Sequence, residues 1–345
     1  MTITTVGLDI AKQVIQVHAV DVRGKPIIRK QLKRHQVLPF FANLPPCLIG
    51  IEVCGGAHDW ARRLMALGHT VKLMAAQFVK PYVKANKHDA ADAEAICEAV
   101  SRPSMRFVSV KAQEQQALLA LHRARQGFVT ARTAQANQLR GLLAEFGLVV
   151  PKGLAALKRR IPDILEDAEN GLPGAFRELL QRLGDHLTEL NRQVEDLTQR
   201  IEAEHRANPL SRRLAQIPGI GPLIATALLA AIGDIQGFAN GRQLAAWLGL
   251  VPKQSSTGGK TRILGISKRG DTYLRTLLIH GARSALRAAQ RREEPGATWL
   301  TRLADRRHPN IAAVALANKN ARIAFALLAH DRDYQPGYRP VQATT

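Results

Sequence analysis

Short apolar runs separated by turns fill roughly the first hundred residues of the chain. Val14 to Val20 alternates apolar and polar positions, which is typical of a strand with one buried face. The other apolar runs are uninterrupted and contain β-branched residues. Two further stretches have the spacing of amphipathic helices. The predicted strands are 3–8, 14–20, 27–32, 47–52 and 70–74, and the predicted helices are 57–67 and 90–100.

The order of these elements favours an α/β domain of the RNase H-like type over residues 1–108. Three strands come first, and helix and strand then alternate. A doubly wound dinucleotide-binding fold is disfavoured, because no Gly-x-Gly-x-x-Gly follows the first strand. In an RNase H-like sheet the first and fourth strands are neighbours, and the last helix packs beside them.

Residues 109–206 change character and become helical, rich in Ala, Leu, Gln and Arg. One apolar series advances by alternating steps of three and four, a strict 3.5-residue period. We therefore predict a coiled coil that associates copies of the chain into a homo-oligomer, in preference to a long helix packed within its own domain. Pro151 and the 162–173 stretch are predicted to separate two antiparallel helices. The series comprises Leu180, Leu183, Leu187, Leu190, Val194, Leu197 and Ile201.

Residues 207–332 form a third predicted region, mainly α-helical, and residues 333–345 a flexible tail. Near its start, the segment Ile217-Pro-Gly-Ile-Gly221 is typical of a helix-hairpin-helix turn. Gly219 and Gly221 would let backbone amides approach a phosphate without reading sequence. A tight turn between two helices that contacts no phosphate explains the same residues equally well.

The charge balance points to a polyanionic partner. The chain has 49 Lys and Arg against 28 Asp and Glu, a formal net charge of +21. Nucleic acid is the favoured partner, since Lys and Arg displace counterions from phosphates. Residues 251–345 hold 17 Lys and Arg against 6 Asp and Glu, about half of the excess. The candidate contacts there are Lys260, Arg262, Lys268, Arg269 and Arg275, with Arg283 nearby.

A membrane location is not expected from the sequence. No segment offers about 18 uninterrupted apolar residues, and the N-terminus does not have the pattern of a signal peptide. Cys47, Cys54 and Cys97 are scattered, which suits a reducing cytoplasm better than a disulfide framework. We therefore expect a bacterial cytoplasmic protein that associates with the nucleoid.

Four carboxylates stand at positions that would converge in such a fold. Asp9 and Glu52 end the first and fourth predicted strands, and Asp89 and Asp92 share one face of the last helix. Each acid alone is better explained as a turn former or a helix cap. Together, the four predict a site for Mg²⁺, which relieves the repulsion between clustered carboxylates and serves phosphodiester chemistry.

Several motifs resemble one family. The segments Gly7-Leu-Asp9, Gly50-Ile-Glu52 and Lys87-His-Asp89-Ala-Ala-Asp92 resemble the RuvC-like DEDD domain of the IS110 family of insertion-sequence transposases. The segments 214–221, 248–252, 255–259 and 265–271 resemble the C-terminal transposase domain of that family, and their order is closest to the IS1111 branch.

The resemblance implies a serine nucleophile that takes a covalent DNA phosphate. Counting from Pro252 places it at Thr257, and counting back from Ser267 places it at Ser256. We choose Ser256 because a serine stands there, and Ser255 is the remaining alternative. Without the resemblance, a polar turn that only touches phosphate is the simpler explanation. The resemblance also implies a bridge RNA, a structured guide that pairs with donor and target DNA.

The sequence thus predicts a transposase or DNA recombinase that uses Mg²⁺ and a phosphoserine intermediate. Because about 165 residues separate the acids from the serine, we expect the two parts to meet across protomers. One alternative is a RuvC-like junction endonuclease that uses metal-activated water. Another is a non-catalytic nucleic-acid-binding module, against which the complete acid set argues.

Overall fold

The computed structural model describes residues 2–84, 88–292 and 298–336. Lys87 of the acidic motif and residues 337–345 of the predicted tail therefore lie outside the described residues. The chain divides into two compact units, Met1–Ala112 and Gln113–Thr345. The division falls close to the end of the predicted α/β domain at residue 108.

The first unit alternates strands and helices after an initial run of three strands. Five of the predicted strands and both predicted helices are present, and α1, α3 and β6 are additional. Its elements are β1 (Thr5–Ile10), β2 (Val14–Val20), β3 (Pro26–Lys33), α1 (Val37–Ala42), β4 (Leu48–Glu52), α2 (Ala57–Ala66), β5 (Thr70–Met74), α3 (Ala76–Val79), α4 (Asp89–Val100) and β6 (Phe107–Val108).

The six strands form one mixed sheet in the order β3-β2-β1-β4-β5-β6. Strands β1, β4 and β5 are parallel, while β2, β3 and β6 run antiparallel to their neighbours. The predicted pairing of the first strand with the fourth is confirmed. Val6 and Leu8 of β1 are buried together with Phe41 of α1 and Trp60 of α2. The alternate residues of β1 therefore face the opposite side, where α4 packs.

Over its described residues, the second unit is helical except for one hairpin. Its elements are α5 (Gln113–Glu145), α6 (Leu154–Glu166), α7 (Gly174–Ala207), α8 (Pro209–Leu214), α9 (Pro222–Ile232), α10 (Gly241–Trp247), β7 (Pro252–Thr257), β8 (Lys260–Ile266), α11 (Thr272–Arg292), α12 (Thr298–Arg306) and α13 (Pro309–Ala329).

The heptad series lies on α7, but its seam is covered within one chain. Six of its seven residues are buried, Leu187 to 1% exposure and Ile201 to 0%. Helix α7 packs along α5 and also contacts α6 and α9. The prediction that this seam joins two copies is therefore corrected, because its apolar side chains already have intrachain partners. Homo-oligomerisation itself stays a prediction and would use another surface.

The helices of the middle region are more numerous and less separate than predicted. Pro162 lies inside α6 rather than in a connection, so α6 stands between the two long helices. Both α5 and α7 pack on α9. The buried imidazole of His122 on α5 is hydrogen-bonded to Thr226 of α9 and Tyr273 of α11. Residues 109–206 and 207–332 therefore belong to one compact unit.

Helix α13 is the one helix in the described ranges that is long and apolar enough to cross a membrane. Half of its apolar window is buried inside the protein. It packs on α10, α11 and α12, and its buried Asn320 donates to the Pro218 carbonyl, at 2.8 Å. These contacts are those of a core helix.

Candidate active site

Two glycines on adjacent strands determine where the acids stand. Gly7 of β1 lies directly beside Gly50 of β4 in the parallel register. A Cβ on Gly7 would lie 2.1 Å from the Ala93 carbonyl oxygen, and one on Gly50 would lie 2.8 Å from the Val100 Cβ. Helix α4 therefore rests on a strip of sheet that has no side chains.

Asp9 and Glu52 follow these glycines by two residues on the same strands. Because side chains two apart share a face of a strand, both carboxylates project on the α4 side of the sheet. The parallel register ends at Leu8 beside Ile51, and Asp9 and Glu52 come next on their strands. The two acids therefore stand side by side at one edge of the α4 face.

The other two acids lie in the first turn of α4. His88 caps this helix, since its Nδ1 accepts from the Ala91 amide at 3.2 Å. Asp89 and Asp92 follow, where the helix dipole favours negative charge. Carboxylate oxygens of Asp9, Asp89 and Asp92 all lie within 4.8 Å of one another. The predicted convergence of these three acids is thus present.

Glu52 stands beside this group, one strand away from Asp9. Among the described residues, the set within 4.8 Å contains Asp9, Asp89 and Asp92. Burial raises the pKa of the Cys54 thiol, and the negative charges of Asp9 and Glu52 raise it further. Both carboxylates are therefore close to the same thiol, at the end of β4.

This arrangement suits a hard divalent cation. Asp9 and Asp92 are half-buried and Asp89 is exposed, so the group opens to solvent on one side. Three carboxylates so close together repel one another when ionised. Oxygen donors with open positions are the ligands that Mg²⁺ prefers.

The serine segment lies in the second unit, on an exposed hairpin. Ser255, Ser256 and Thr257 are exposed residues of β7. Gly258 and Gly259 close the hairpin with positive φ of 54° and 77°, which glycine adopts without strain. The Gln254 side-chain amide donates to the Ser256 Oγ at 2.9 Å.

The hairpin divides the hydroxyls between its two faces. Ser255 pairs with Arg262 and Thr257 with Lys260, whereas Ser256 pairs with Thr261. Because directly paired residues share a face, the two cations stand with Ser255 and Thr257, and Ser256 lies on the other face. Lys260 and Arg262 are exposed, as binding to a phosphate requires.

Two other predicted contacts, Lys268 and Arg269, lie in the exposed loop after β8. Lys268 has a positive φ of 54°, and its amide donates to the Gly249 carbonyl at 3.2 Å. A Cβ on Gly249 would lie 2.0 Å from the Arg269 carbonyl oxygen. The backbone of this loop is thus held against residue 249 while both charged side chains face solvent.

The structure contradicts a direct phosphate contact for Arg275. This residue is 8% exposed. Its guanidinium donates to the carbonyls of Leu248 and Arg269, at 3.4 and 3.0 Å, and to the Thr272 hydroxyl, at 3.1 Å. Arg275 therefore holds the loop after β8 onto the helices. The sequence could not reveal this structural role, because an arginine among other basic residues looks the same whether it binds phosphate or holds a loop.

The structure likewise assigns Gly219 to packing. It has a φ of +89°, and a Cβ there would lie 2.7 Å from the Gly281 carbonyl oxygen of α11. This close packing favours the interhelical-turn alternative for Gly219, and its predicted phosphate contact stays a prediction. Gly221 precedes Pro222 at the start of α9, and a Cβ there would meet nothing within 4 Å. Its proximity to a phosphate stays a prediction.

Sequence reasoning did not identify Gly7 and Gly50 as determinants of the site. The available signal was the recurrence of glycine two residues before an acid on each strand, in Gly7-Leu-Asp9 and Gly50-Ile-Glu52. A central strand interior disfavours glycine unless another backbone approaches closely. The repeated spacing therefore indicates a helix packed beside the acids.

Two family models match most of the chain. One is described as a transposase, of the DEDD type of the IS110 group, and matches residues 6–147. The other is described as the transposase IS116/IS110/IS902 family and matches residues 211–295. The first match includes all four acids and the second includes the serine segment.

Similar curated proteins span nearly the whole chain. A "Probable family 20 transposase" of Pseudomonas aeruginosa is 53% identical over 98% of this chain and 100% of its own length. The transposase for insertion sequence element IS1111A of Coxiella burnetii is 44% identical, over 97% of this chain and 92% of its own. The transposase for element IS1328 of Yersinia enterocolitica is 42% identical, over 94% and 96%.

Proposed function

Because the chain belongs to the IS110 family of insertion-sequence transposases, enzymes that cut and rejoin DNA, we propose that its active site has two parts. Asp9, Glu52, Asp89 and Asp92 form the first part, a RuvC-like centre for Mg²⁺. Ser256 forms the second part as the nucleophile. The observation that carries the proposal is the approach of three carboxylates to within 4.8 Å beside a fourth.

The donor set fits the proposed ion. Each residue supplies carboxylate oxygens, and the sheet and α4 present them from separate elements. When bound, Mg²⁺ would neutralise the acids and polarise a phosphate oxygen. Asp9, Asp89 and Asp92 would be the direct ligands, and Glu52 would complete the site from the neighbouring strand.

The proposed chemistry at Ser256 conserves the phosphodiester bond energy. The Ser256 Oγ attacks the phosphorus and gives its proton to a base or to solvent. The bond between the phosphorus and the oxygen of one DNA strand breaks, and that oxygen takes up a proton and leaves as a hydroxyl. A hydroxyl of the second DNA then attacks the phosphoserine, which releases the serine and rejoins the strands. The amide of Gln254 supports this role, because its donation to Oγ leaves the serine proton available for transfer.

The exposed cations of the hairpin and the following loop would hold the DNA backbone. Lys260, Arg262, Lys268 and Arg269 are exposed and lie in or directly after β8. They would position phosphates without reading sequence. A bridge RNA and a homo-oligomer complete the proposal, the first implied by the family and compatible with the net charge of +21.

Removing one acid tests the metal-binding part. The Asp9→Asn variant is expected to lose cleavage of a plasmid that carries the element, by at least about a hundredfold, since one ligand charge is gone. Its affinity for Mn²⁺, measured by calorimetry, should fall in parallel. DNA binding in EDTA should persist, because the basic surface is unchanged.

The Asp59→Asn variant is the matched control. Asp59 lies on α2, about half exposed, in weak ion pairs with Arg62 and Arg63. This variant should bind Mn²⁺ and cleave DNA like the wild type. Full cleavage by Asp9→Asn, or an equal loss in Asp59→Asn, would refute the assignment.

A further inference from the structure

A cavity of about 360 Å³ lies on the α4 side of the sheet, next to the acids. This volume is within the range of sites for small ligands. Strands β2 and β3 form its floor, and the start of α4 forms one wall. Its polar lining comprises Gln16, His18, Arg29, Lys84, His88 and Glu94, with Tyr82 at one side.

Strand register places the cavity immediately beside Asp9. Gln16 of β2 is the direct partner of Asp9, and His18 is the partner of Gly7. The side chains of Asp9, Gln16 and His18, and the Cα of Gly7, therefore lie on the α4 side of the sheet. Paired Cα atoms lie about 5 Å apart, and successive residues of a strand lie about 3.4 Å apart. The Cα of His18 on β2 therefore stands roughly 8 Å, diagonally across the two strands, from the Cα of Asp9. A strand of DNA at the acids would reach the cavity within about one nucleotide.

His18 is a buried polar side chain that points into this cavity. It is 5% exposed and lines the cavity. Burial lowers its pKa, so the ring is neutral and has one nitrogen that donates and one that accepts. The ring can therefore both donate to and accept from a polar ligand in the cavity.

Two cations stand at the mouth of the cavity. Arg29 is the cross-strand partner of His18 on β3, and its side chain is 64% exposed. The side chain of Lys84 is 67% exposed. Glu94 lies 3.9 Å from each of them, which is a long contact. Arg29 thus retains donor capacity in its five N–H groups for an incoming anion.

Lys84 has a stronger intrachain partner. Its Nζ lies 2.9 Å from Glu98, whose carboxylate also accepts from Arg102. The hydrogen bond to Glu98 raises the pKa of Lys84, so the amine stays charged. Because Arg102 shares Glu98, Lys84 can turn toward a phosphate while Glu98 keeps a cationic partner.

We propose that this cavity binds the DNA nucleotide next to the scissile phosphate. Arg29 and Lys84 hold its phosphate, and His18 and Gln16 hydrogen-bond its base or sugar beside the ring of Tyr82. The proposal rests on the proposed function, since it takes the acids as the site of cutting. It assigns to the first unit a contact with substrate that is independent of the metal ligands.

The test uses thymidine 3′,5′-bisphosphate as the probe and the full-length protein in EDTA. Calorimetry should detect binding by the wild type. The Arg29→Gln and Lys84→Gln variants should each weaken it by about tenfold, the effect of losing one charge-assisted hydrogen bond. Both side chains are mostly exposed, so these variants should fold normally.

Lys30→Gln is the matched control. The substitution removes the same charge as Arg29→Gln. Lys30 is the next residue of β3 and faces the other side of the sheet, toward Phe40. This variant should bind the probe like the wild type. Equal losses in Lys30→Gln and Arg29→Gln, or no loss in Arg29→Gln and Lys84→Gln, would overturn the proposal.

Two further arms separate this proposal from the assignment of the acids. Asp9→Asn should bind the probe in EDTA like the wild type even though it loses cleavage. If it cleaves normally while Arg29→Gln still loses the probe, the acid assignment fails and the cavity assignment stands. A clear preference for the uridine bisphosphate over the thymidine bisphosphate would contradict a DNA nucleotide as the occupant.

Discussion

At the scale of single residues, two glycines make the acid cluster possible. Gly7 and Gly50 let α4 rest on the sheet, so Asp89 and Asp92 reach Asp9. The sequence predicted that these acids converge because strand ends and an i,i+3 spacing are local patterns, and Asp9, Asp89 and Asp92 do lie together. It could not predict the helix-to-sheet distance, which depends on a contact between residues about 90 positions apart.

The Gly7→Ala variant is expected to displace α4, since its Cβ would lie 2.1 Å from a backbone oxygen. We expect a loss of about 3 kcal/mol in the free energy of unfolding, together with the loss of Mn²⁺ binding. Denaturant unfolding and calorimetry measure these effects. Gly55→Ala is the control, because a Cβ there meets nothing within 4 Å. Wild-type metal binding by Gly7→Ala would show that α4 does not depend on this contact.

His122 provides a second prediction at the residue scale. Burial lowers the pKa of His122 to about 4, from 6.5. Because the unfolded chain takes up the proton at higher pH than the fold does, the effect of His122 on stability is absent above pH 6.5 and becomes destabilising as the pH drops toward 4. The predicted loss of free energy of unfolding is about 3 kcal/mol.

Denaturant unfolding of the wild type and the His122→Gln variant between pH 7.5 and 4 measures this contribution. Other groups titrate in both proteins, so the difference between their two pH profiles isolates His122. The variant should lose less stability across this range. Parallel profiles would mean that His122 is not held neutral between Thr226 and Tyr273.

At the scale of elements, periodicity predicted where helices and strands form better than what they contact. The 3.5-residue period of α7 is real, yet its seam packs on α5 within the same chain. An apolar seam shows only that a helix has a partner. A partner helix in the same chain and one in a second copy require the same period. The hairpin of β7 and β8 escaped prediction because almost all of its residues are exposed and neither strand alternates apolar and polar positions.

The α7 seam gives a direct test of its partner. Leu187→Ala should lower the free energy of unfolding by about 3 kcal/mol, because it leaves a cavity in a buried contact. Leu179→Ala, on the same helix and 42% exposed, should change it by less than about 0.5 kcal/mol. The molar mass in solution, measured by light scattering, should be the same for both. Dissociation of an oligomer by Leu187→Ala at unchanged stability would restore the intermolecular coiled coil.

At the scale of the whole molecule, an acidic site and a basic surface coexist in a chain of net charge +21. The acids lie in the first unit, and the serine segment with its exposed cations lies in the second. Long-range attraction of DNA comes from the summed positive charge, whereas chemistry requires a local concentration of carboxylates. Composition alone predicted the partner, and only the positions of named residues predicted the chemistry.

The central claim of the proposal is that the phosphodiester bond energy is kept between cutting and rejoining, as a covalent phosphoserine at Ser256. The most direct test is to stop the reaction of the wild type on an element-bearing plasmid in Mg²⁺ and digest the protein–DNA adduct. Mass spectrometry should then find a nucleotide attached to Ser256. The adduct should be absent from Asp9→Asn and Ser256→Ala, and present in Ser255→Ala and Thr257→Ala. An adduct on another residue, or cleavage that leaves free 5′-phosphate ends and no adduct, would contradict the account.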